Sequence, residues 1–194
     1  MERERGRETT SIERSLKMIA AEFYIPKDNK LKPLGEDTHF IYAEKQTIGV
    51  ADSVGGWARK GVDAGEYARE LMANAVYAVE DQPKSTLGNT DDSPSLAEEF
   101  EVVVEARDIV VAGIDGLFDN LHSAETEDIV SVCLRQGNMP ELLTWTMSKV
   151  AWVKSLEEWT DSPFAMATHD AGIDHRGGKY DDVRVVAACL LSAG

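Results

Sequence analysis

The sequence has few cysteines, a shortage of basic residues and no long hydrophobic segment. Its two cysteines, Cys133 and Cys189, stand in apolar surroundings without ligand-like spacing, which favours buried thiols over a disulfide and fits a reducing compartment. No apolar run approaches the length of a membrane span. The 20 lysines and arginines face 35 aspartates and glutamates, for a formal net charge of −15. This balance argues against binding to nucleic acid or to an anionic membrane.

The N-terminus lacks the features of a targeting segment. Residues 1–15 mix acids and bases and contain no apolar core, so they predict a disordered lead and neither a secretory signal nor a transit peptide. We therefore expect an intracellular protein, cytoplasmic or nuclear. Residues 16–194 are enough for a single domain with a hydrophobic core, since 43% of the chain is apolar.

The predicted strands and helices are segregated more than they alternate, which favours an α+β fold. A polar stretch at 81–99, with two prolines and several serines, predicts a loop. We expect three helices, at 63–79, 124–136 and 138–159. We expect strands at 16–25, 39–43, 47–51, 100–104, 109–114 and 183–192. The apolar run at 109–114 predicts burial on both faces, and three tryptophans spaced by seven, Trp145, Trp152 and Trp159, predict a helix face packed on a sheet.

Acidic residues, with glycines nearby in the chain, stand at the ends of several predicted strands. In chain order they are Glu36 and Asp37, Asp52, Asp115 and Asp119, and Asp181 and Asp182. Carboxylates gathered at one edge of a sheet repel one another unless cations neutralise them. Oxygen donors without histidine or cysteine clusters favour Mg²⁺ or Mn²⁺ over zinc. A single Asp-Gly pair is an ordinary turn signal, but the repetition of this pattern predicts a divalent-metal site.

Longer motifs around these acids resemble the metal-dependent protein phosphatases of type 2C. The match is closest to the plant and mitochondrial branch, which carries Asp-Gly-Val-Gly-Gly-Trp where this chain has Asp-Ser-Val-Gly-Gly-Trp. The matching segments are 35–37 (GED), 49–57 (GVADSVGGW), 61–65 (GVDAG), 115–121 (DGLFDNL), 162–164 (SPF) with 170–172 (DAG), and 177–183 (GGKYDDV). The resemblance implies an α-β-β-α sandwich with metals at one end of its sheets.

Position by position, the resemblance also implies a set of roles. Two Mg²⁺ or Mn²⁺ ions would activate a water that hydrolyses phosphoserine or phosphothreonine in a protein substrate. Asp52 would bridge the ions, Asp115 and Asp181 would bind the second ion, and these three acids would be catalytic through the water. Ser53 would contribute its backbone carbonyl. Glu36 would hold metal-bound waters. Asp37, Asp119 and Asp182 would form the layer of residues behind the ligands.

The middle section of such a phosphatase domain is missing. Relatives continue after the first helix with a second helix and several strands, on the order of a hundred residues against a typical domain size. This chain passes from Pro83 to Phe100 through the polar stretch at 81–99. The expected fold is therefore an incomplete sandwich that lacks central strands and a helix. Sheet edges left uncovered in this way favour self-association.

Three functional interpretations stay open. The first is a metal-dependent protein serine/threonine phosphatase. The second is a catalytically inactive relative that binds phosphoproteins or regulates a partner, an alternative motivated by the missing section and by Ser53 and Val54. The third is an acidic globular protein that is unstable in isolation. Family analogy also points to a chloroplast or mitochondrial location, in contrast to the N-terminus.

Overall fold

A computed structural model describes residues 16–28, 35–53, 63–81, 101–137 and 139–193. The predicted disordered lead at 1–15, nearly all of the predicted loop at 81–99 and Phe100 lie outside the described residues. The elements in chain order are β1 Leu16–Ile25, β2 Thr38–Tyr42, β3 Thr47–Ala51, α1 Ala64–Asp81, β4 Ile109–Gly113, α2 Asp115–Phe118, α3 Ser123–Gln136, α4 Glu141–Ser155, α5 Pro163–Asp170 and β5 Val183–Ser192. A short 3-10 helix, Ala43–Lys45, joins β2 to β3.

The described strands form two antiparallel sheets. The first sheet has the order β1-β5-β4, and the second is the β2-β3 hairpin. Strand β5 lies at the centre of the first sheet, paired with β1 from Leu16↔Ser192 to Ile25↔Val183. Its residues 183–189 are all buried, as a nearly continuous apolar run between two strands and two packed faces requires.

Helices cover both outer faces of the two sheets. Helix α4 packs on β1 and β5, helix α1 packs on β2 and β3, and β3 in turn contacts β4 and β5. The layers therefore run α4, first sheet, second sheet, α1. This arrangement confirms the expected α+β class and the expected α-β-β-α layers. No helix of the described chain is long and apolar enough to cross a membrane.

The main hydrophobic core lies between α4 and the first sheet. Leu143, Met147 and Ala151 recur at intervals of four along α4, so they share one face of the helix, and all three are fully buried. They pack on Val183 and Val185 of β5, together with apolar residues of α2 and α3. Burial of each large side chain of this kind stabilises the fold by about 1.5–3 kcal/mol.

Two expectations about strands are wrong. Residues 101–104 of the predicted strand 100–104 form no strand, and Val103 is 93% exposed. The predicted burial of 109–114 on both faces also fails, because β4 is an edge strand in the described sheet and Val110 is 42% exposed. An apolar run becomes a buried strand only where neighbouring strands and covering layers exist on both sides.

The helices differ from expectation at their ends and in one face. The helix predicted at 138–159 covers Glu141–Ser155, so Trp159 lies beyond it and is 78% exposed. Trp145 is also exposed. Trp152 is partly buried against the core, whose fully buried helix residues lie on the face that carries Met147. Helix α5 was not expected, although its sequence contains clear start signals: Ser162 caps it by accepting a hydrogen bond from the Ala165 amide, and Pro163 follows.

Candidate metal centre

The predicted acids lie at one end of both sheets. In the first sheet, β1 and β4 end beside the start of β5, through the pairs Ile25↔Val183 and Gly113↔Val185. In the second sheet, the start of β2 pairs with the end of β3. The residues that flank these strand ends are Glu36, Asp37, Asp52, Ser53, Asp115, Asp119, Asp181 and Asp182. The fold therefore gathers carboxylates that are up to 146 residues apart, as the sequence pattern predicts.

The carboxyl groups of Asp37, Asp52 and Asp115 meet at the end of β3. Asp52 and Asp115 are open to solvent, whereas Asp37 is buried. Partial loss of hydration, together with the negative charges of Asp115 and Asp37, raises the pKa of Asp52 to about 7. Burial likewise raises the pKa of Asp37. Carboxyl groups that lie close together have raised pKa values where too little positive charge offsets their mutual repulsion.

Asp37 also fixes the backbone that follows Asp52. The Ser53 amide donates a hydrogen bond of 2.9 Å to Asp37 Oδ1. Asp37 Oδ2 is buried and has no hydrogen-bond partner among the described residues. A buried carboxylate oxygen without a donor costs free energy, and a cation nearby would remove that cost.

Lysine ammonium groups supply the positive charge on the other side of the cluster. Lys179 Nζ contacts carboxylate oxygens of Asp115, of Asp119 at 2.8 Å and of Asp181 at 3.4 Å. Burial alone lowers the pKa of Lys179, but the hydrogen bonds and charges of Asp115 and Asp119 outweigh it and raise the pKa. Lys27 Nζ lies 2.7 Å from Asp181 Oδ1, and this bond holds the pKa of Asp181 low in spite of burial.

The structure divides the predicted ligands into two groups. Asp52 lies with Asp37 and Asp115, whereas Asp181 lies with Asp119 around Lys179, and Asp115 belongs to both groups. Within the described ranges, no set of three His, Cys, Asp or Glu side chains is arranged so that it could hold a metal ion as it stands. Lys179 bridges Asp115 and Asp181, and Lys27 pairs with Asp181, at the place where the sequence pattern predicts a metal ion.

Asp182 has a supporting contact that the sequence did not suggest. This carboxylate is 3% exposed and accepts hydrogen bonds from the Tyr24 hydroxyl at 3.0 Å and from the Lys27 amide at 2.8 Å. It therefore ties the end of β1 to the start of β5. Burial and the charge of Asp182 raise the pKa of Tyr24, so the tyrosine stays a neutral donor.

Glycines let the backbones of the site approach one another. A Cβ on Gly116, the residue after Asp115, would lie 1.8 Å from the Asp182 carbonyl oxygen. A Cβ on Gly65, near the start of α1, would lie 3.0 Å from the carbonyl oxygen of Glu36. The glycines beside the acids therefore serve close backbone packing.

Asn120 is a site residue that the sequence reading missed. It is fully buried, and its Nδ2 donates to the carbonyl oxygens of Gly116 and Lys179, both at 2.9 Å. Its Oδ1 accepts from the Lys179 amide at 2.9 Å. The amide side chain thus fastens α2 to the loop that carries Lys179 and Asp181. The sequence offered one signal for this role, an asparagine directly before the apolar Leu121. A side-chain amide that is buried with such a neighbour requires hydrogen-bond partners.

The donor set fits Mg²⁺ or Mn²⁺. Carboxylates and a backbone carbonyl at Ser53 are hard oxygen donors, the type that these ions prefer. The raised pKa of Asp52 and the unpartnered oxygen of Asp37 both mark a local deficit of positive charge. Binding of a divalent ion by Asp115 and Asp181 would require Lys179 to leave these carboxylates, and its long flexible side chain would permit that.

Comparisons with known proteins converge on one family name. No family model matches the chain. It is 30% identical to "Probable protein phosphatase 2C 55" of Arabidopsis thaliana over 92% of this chain and 53% of the relative. It is 29% identical to "Probable protein phosphatase 2C 80" of the same plant, over 95% of this chain and 61% of the relative. The chain thus spans little more than half the length of these curated relatives.

The alignments and a solved structure add two findings. The alignment with the first of these relatives extends over 246 residues, more than the 194 of this chain, so the relative contains segments without a counterpart here. The fold matches the "X-ray structure of the photosystem II phosphatase PBCP" with a TM-score of 0.73 over 89% of this chain and 98% of that chain, at 20% identity. At this identity, the structural match establishes the fold alone.

Proposed function

Because the chain is homologous to plant protein phosphatases 2C, we propose that it is a Mg²⁺- or Mn²⁺-dependent protein serine/threonine phosphatase. The observation that carries the proposal is the convergence of Asp52, Asp115 and Asp181 at one end of both sheets. The match in order and spacing of the surrounding motifs supports the same assignment.

In this proposal, Asp52, Asp115, Asp181 and the Ser53 carbonyl would hold two ions, and Glu36 would act through bound water. When bound, the ions supply a water of lowered pKa and neutralise the charge of the phosphate. The other residues of the site hold these donors in place: Asp37 fixes the Ser53 amide, and Asn120 fixes the loop before Asp181. No covalent enzyme intermediate is required.

An assay of phosphate release from a phosphoserine peptide, with Mn²⁺ present, tests the proposal. Asp52→Asn removes a ligand charge with little change of shape, and we expect a loss of rate of at least about a hundredfold. Asp128→Asn is the matched control, because Asp128 lies exposed on α3, away from the cluster. Equal rates for wild type and Asp52→Asn would contradict the proposed catalysis.

A catalytically inactive phosphoprotein-binding protein is the second candidate. The relative's segments that have no counterpart here, and the contacts of Lys179 with Asp115 and Asp181, favour it. This candidate predicts that the same phosphopeptide binds, in fluorescence anisotropy, without release of phosphate. Binding with turnover would exclude it.

Self-association through the edge of the first sheet is a further part of the proposal. Val102 and Val103 are strongly exposed beside the edge strand β4, where Val110 is also exposed. Exposed apolar residues at a strand edge favour pairing with another chain. Sedimentation velocity measures it: a concentration-dependent dimer is expected, and a monomer at all concentrations would contradict it. An intracellular location stays a prediction from the sequence.

A further inference from the structure

Arg184 is a buried arginine and the one charged residue of β5. It is the second residue of β5, the central strand of the first sheet, and it is 7% exposed. Its neighbours Val183 and Val185 belong to the core against α4. Because successive side chains of a strand point to opposite faces, Arg184 points the other way, between the two sheets.

The guanidinium group of Arg184 joins β5 to β1 and β2. Nη1 donates to Glu22 Oε2 at 3.1 Å and lies 2.7 Å from His39 Nδ1, and Nη2 donates to the backbone carbonyl oxygen of Asp37 at 3.2 Å. The group also stacks on Tyr24, 3.8 Å from the ring centroid. These contacts extend from the middle of the first sheet to the residue before β2.

His39 acts as an acceptor in this network. A guanidinium can only donate, so Nδ1 of His39 must carry a lone pair. Burial and the charge of Arg184 lower the pKa of His39, although Glu22 opposes them. The network is therefore one cation held by one carboxylate, one neutral imidazole and one backbone carbonyl.

Stability alone does not account for this arginine. Replacement of a buried ion pair by apolar residues of similar volume is often neutral or stabilising. Arg184 Nε is moreover buried without a partner among the described residues, which adds a cost. The buried arginine does provide one specific contact: from the space between the two sheets, it donates a hydrogen bond to the main-chain carbonyl of Asp37.

Asp37 connects Arg184 to the residues of the candidate metal centre. Its carbonyl accepts from Arg184 Nη2, and its carboxylate accepts from the Ser53 amide. Ser53 follows Asp52 directly. We propose that Arg184 is a positioning residue, which holds Asp37 so that its carboxylate sets the Asp52-Ser53 turn for cation binding. The cation part of this inference rests on the proposed function.

Two readouts test the proposal on the full chain. The first is hydrogen exchange of the Ser53 amide in metal-free protein, measured by NMR relative to the paired amides of β2 and β3. The second is Mn²⁺ affinity by calorimetry. The main variant combines Arg184→Met with Glu22→Gln, so that no unpaired charge stays buried and the fold is kept. Glu22→Gln alone, Arg184→Lys and Lys154→Met complete the set.

We expect the double variant to exchange the Ser53 amide about tenfold faster than wild type, while the hairpin amides keep their rates. Its Mn²⁺ affinity should fall by about 10–100-fold, the range seen when the residues that orient metal ligands are changed. Arg184→Lys should recover part of both effects. Glu22→Gln alone keeps the hydrogen bond from Arg184 to the Asp37 carbonyl, so its effect on both readouts should be smaller than that of the double variant. Lys154→Met, which breaks an ion pair with Glu125 away from the site, should change neither.

Wild-type values of Ser53 exchange and Mn²⁺ affinity in the double variant would overturn the proposal, even if its melting temperature were lower. An absence of Mn²⁺ binding in wild type would refute the proposed metal centre, and the exchange of the Ser53 amide would then decide the positioning role by itself. The two failures are therefore distinguishable.

Discussion

At the scale of single residues, Gly116 has no room for a side chain, because a Cβ there would lie 1.8 Å from the Asp182 carbonyl oxygen. We expect Gly116→Ala to lower the free energy of unfolding by about 1–3 kcal/mol or more, the cost of overpacking. Gly137→Ala is the control: its φ is +69° and nothing lies within 4 Å, so only left-handed strain of about 1 kcal/mol applies. Urea denaturation measures both, and equal losses would contradict the packing argument.

Asn120 allows a second test at the residue scale. Its side chain makes three hydrogen bonds inside the protein, each worth about 0.5–1.5 kcal/mol net. Asn120→Ala should therefore lower the free energy of unfolding by about 2–4 kcal/mol, while Gln136→Ala, at the exposed end of α3, should cost less than about 0.5 kcal/mol. A loss below about 1 kcal/mol for Asn120→Ala would show that α2 and the Lys179 loop hold together without it.

The sequence indicated the acids of the site but not the residues that orient them. Asp52, Asp115 and Asp181 stand in long motifs beside predicted strand ends, so their convergence follows from the order of the elements. Asn120 and Lys179 are 59 positions apart, and Arg184 and Asp37 are 147 apart. Such contacts depend on how two sheets face each other, which no local pattern encodes.

At the scale of elements, local pattern predicted the paired strands well but wrongly predicted a strand at the unpaired residues 101–104. The bounds of β1, β3 and β5 agree with expectation residue for residue, because strong turn signals flank each apolar run. Residues 101–104 are equally apolar but form no strand. A β-branched run has strand propensity, yet a strand exists only with a neighbour to pair with, and that information is not local.

Helix α4 provides the test at this scale. Met147 is fully buried between the helix and the first sheet, so Met147→Ala should leave a cavity and lower the free energy of unfolding by about 2–5 kcal/mol. Val153→Ala changes an exposed position of the same helix, with 51% of the residue accessible, and should cost less than about 1 kcal/mol. The comparison by guanidinium denaturation separates packing from helix propensity, and similar losses for the two variants would contradict the packing of α4.

At the scale of the whole molecule, the layered fold determines where part of the negative charge is concentrated. The order of strands and helices predicted the α+β class, and the family resemblance supplied the layers, which the structure confirms. The chain carries a net charge of −15, and the strand ends concentrate part of that charge at one end of the fold. Concentrated like charge destabilises the compact state unless a cation binds there. The lysine contacts of Asp115 and Asp181 could not be predicted, because they depend on the conformation of two long side chains.

A calorimetric titration of the full chain with Mn²⁺ shows whether these acids form a metal centre. We expect saturable binding by wild type at constant ionic strength, with affinity reduced at least about tenfold in Asp52→Asn, since a charged ligand is lost. NaCl at matched ionic strength provides the control for general screening. Absence of saturable Mn²⁺ binding by wild type, or equal affinity in Asp52→Asn, would contradict the assignment of these acids to a metal centre.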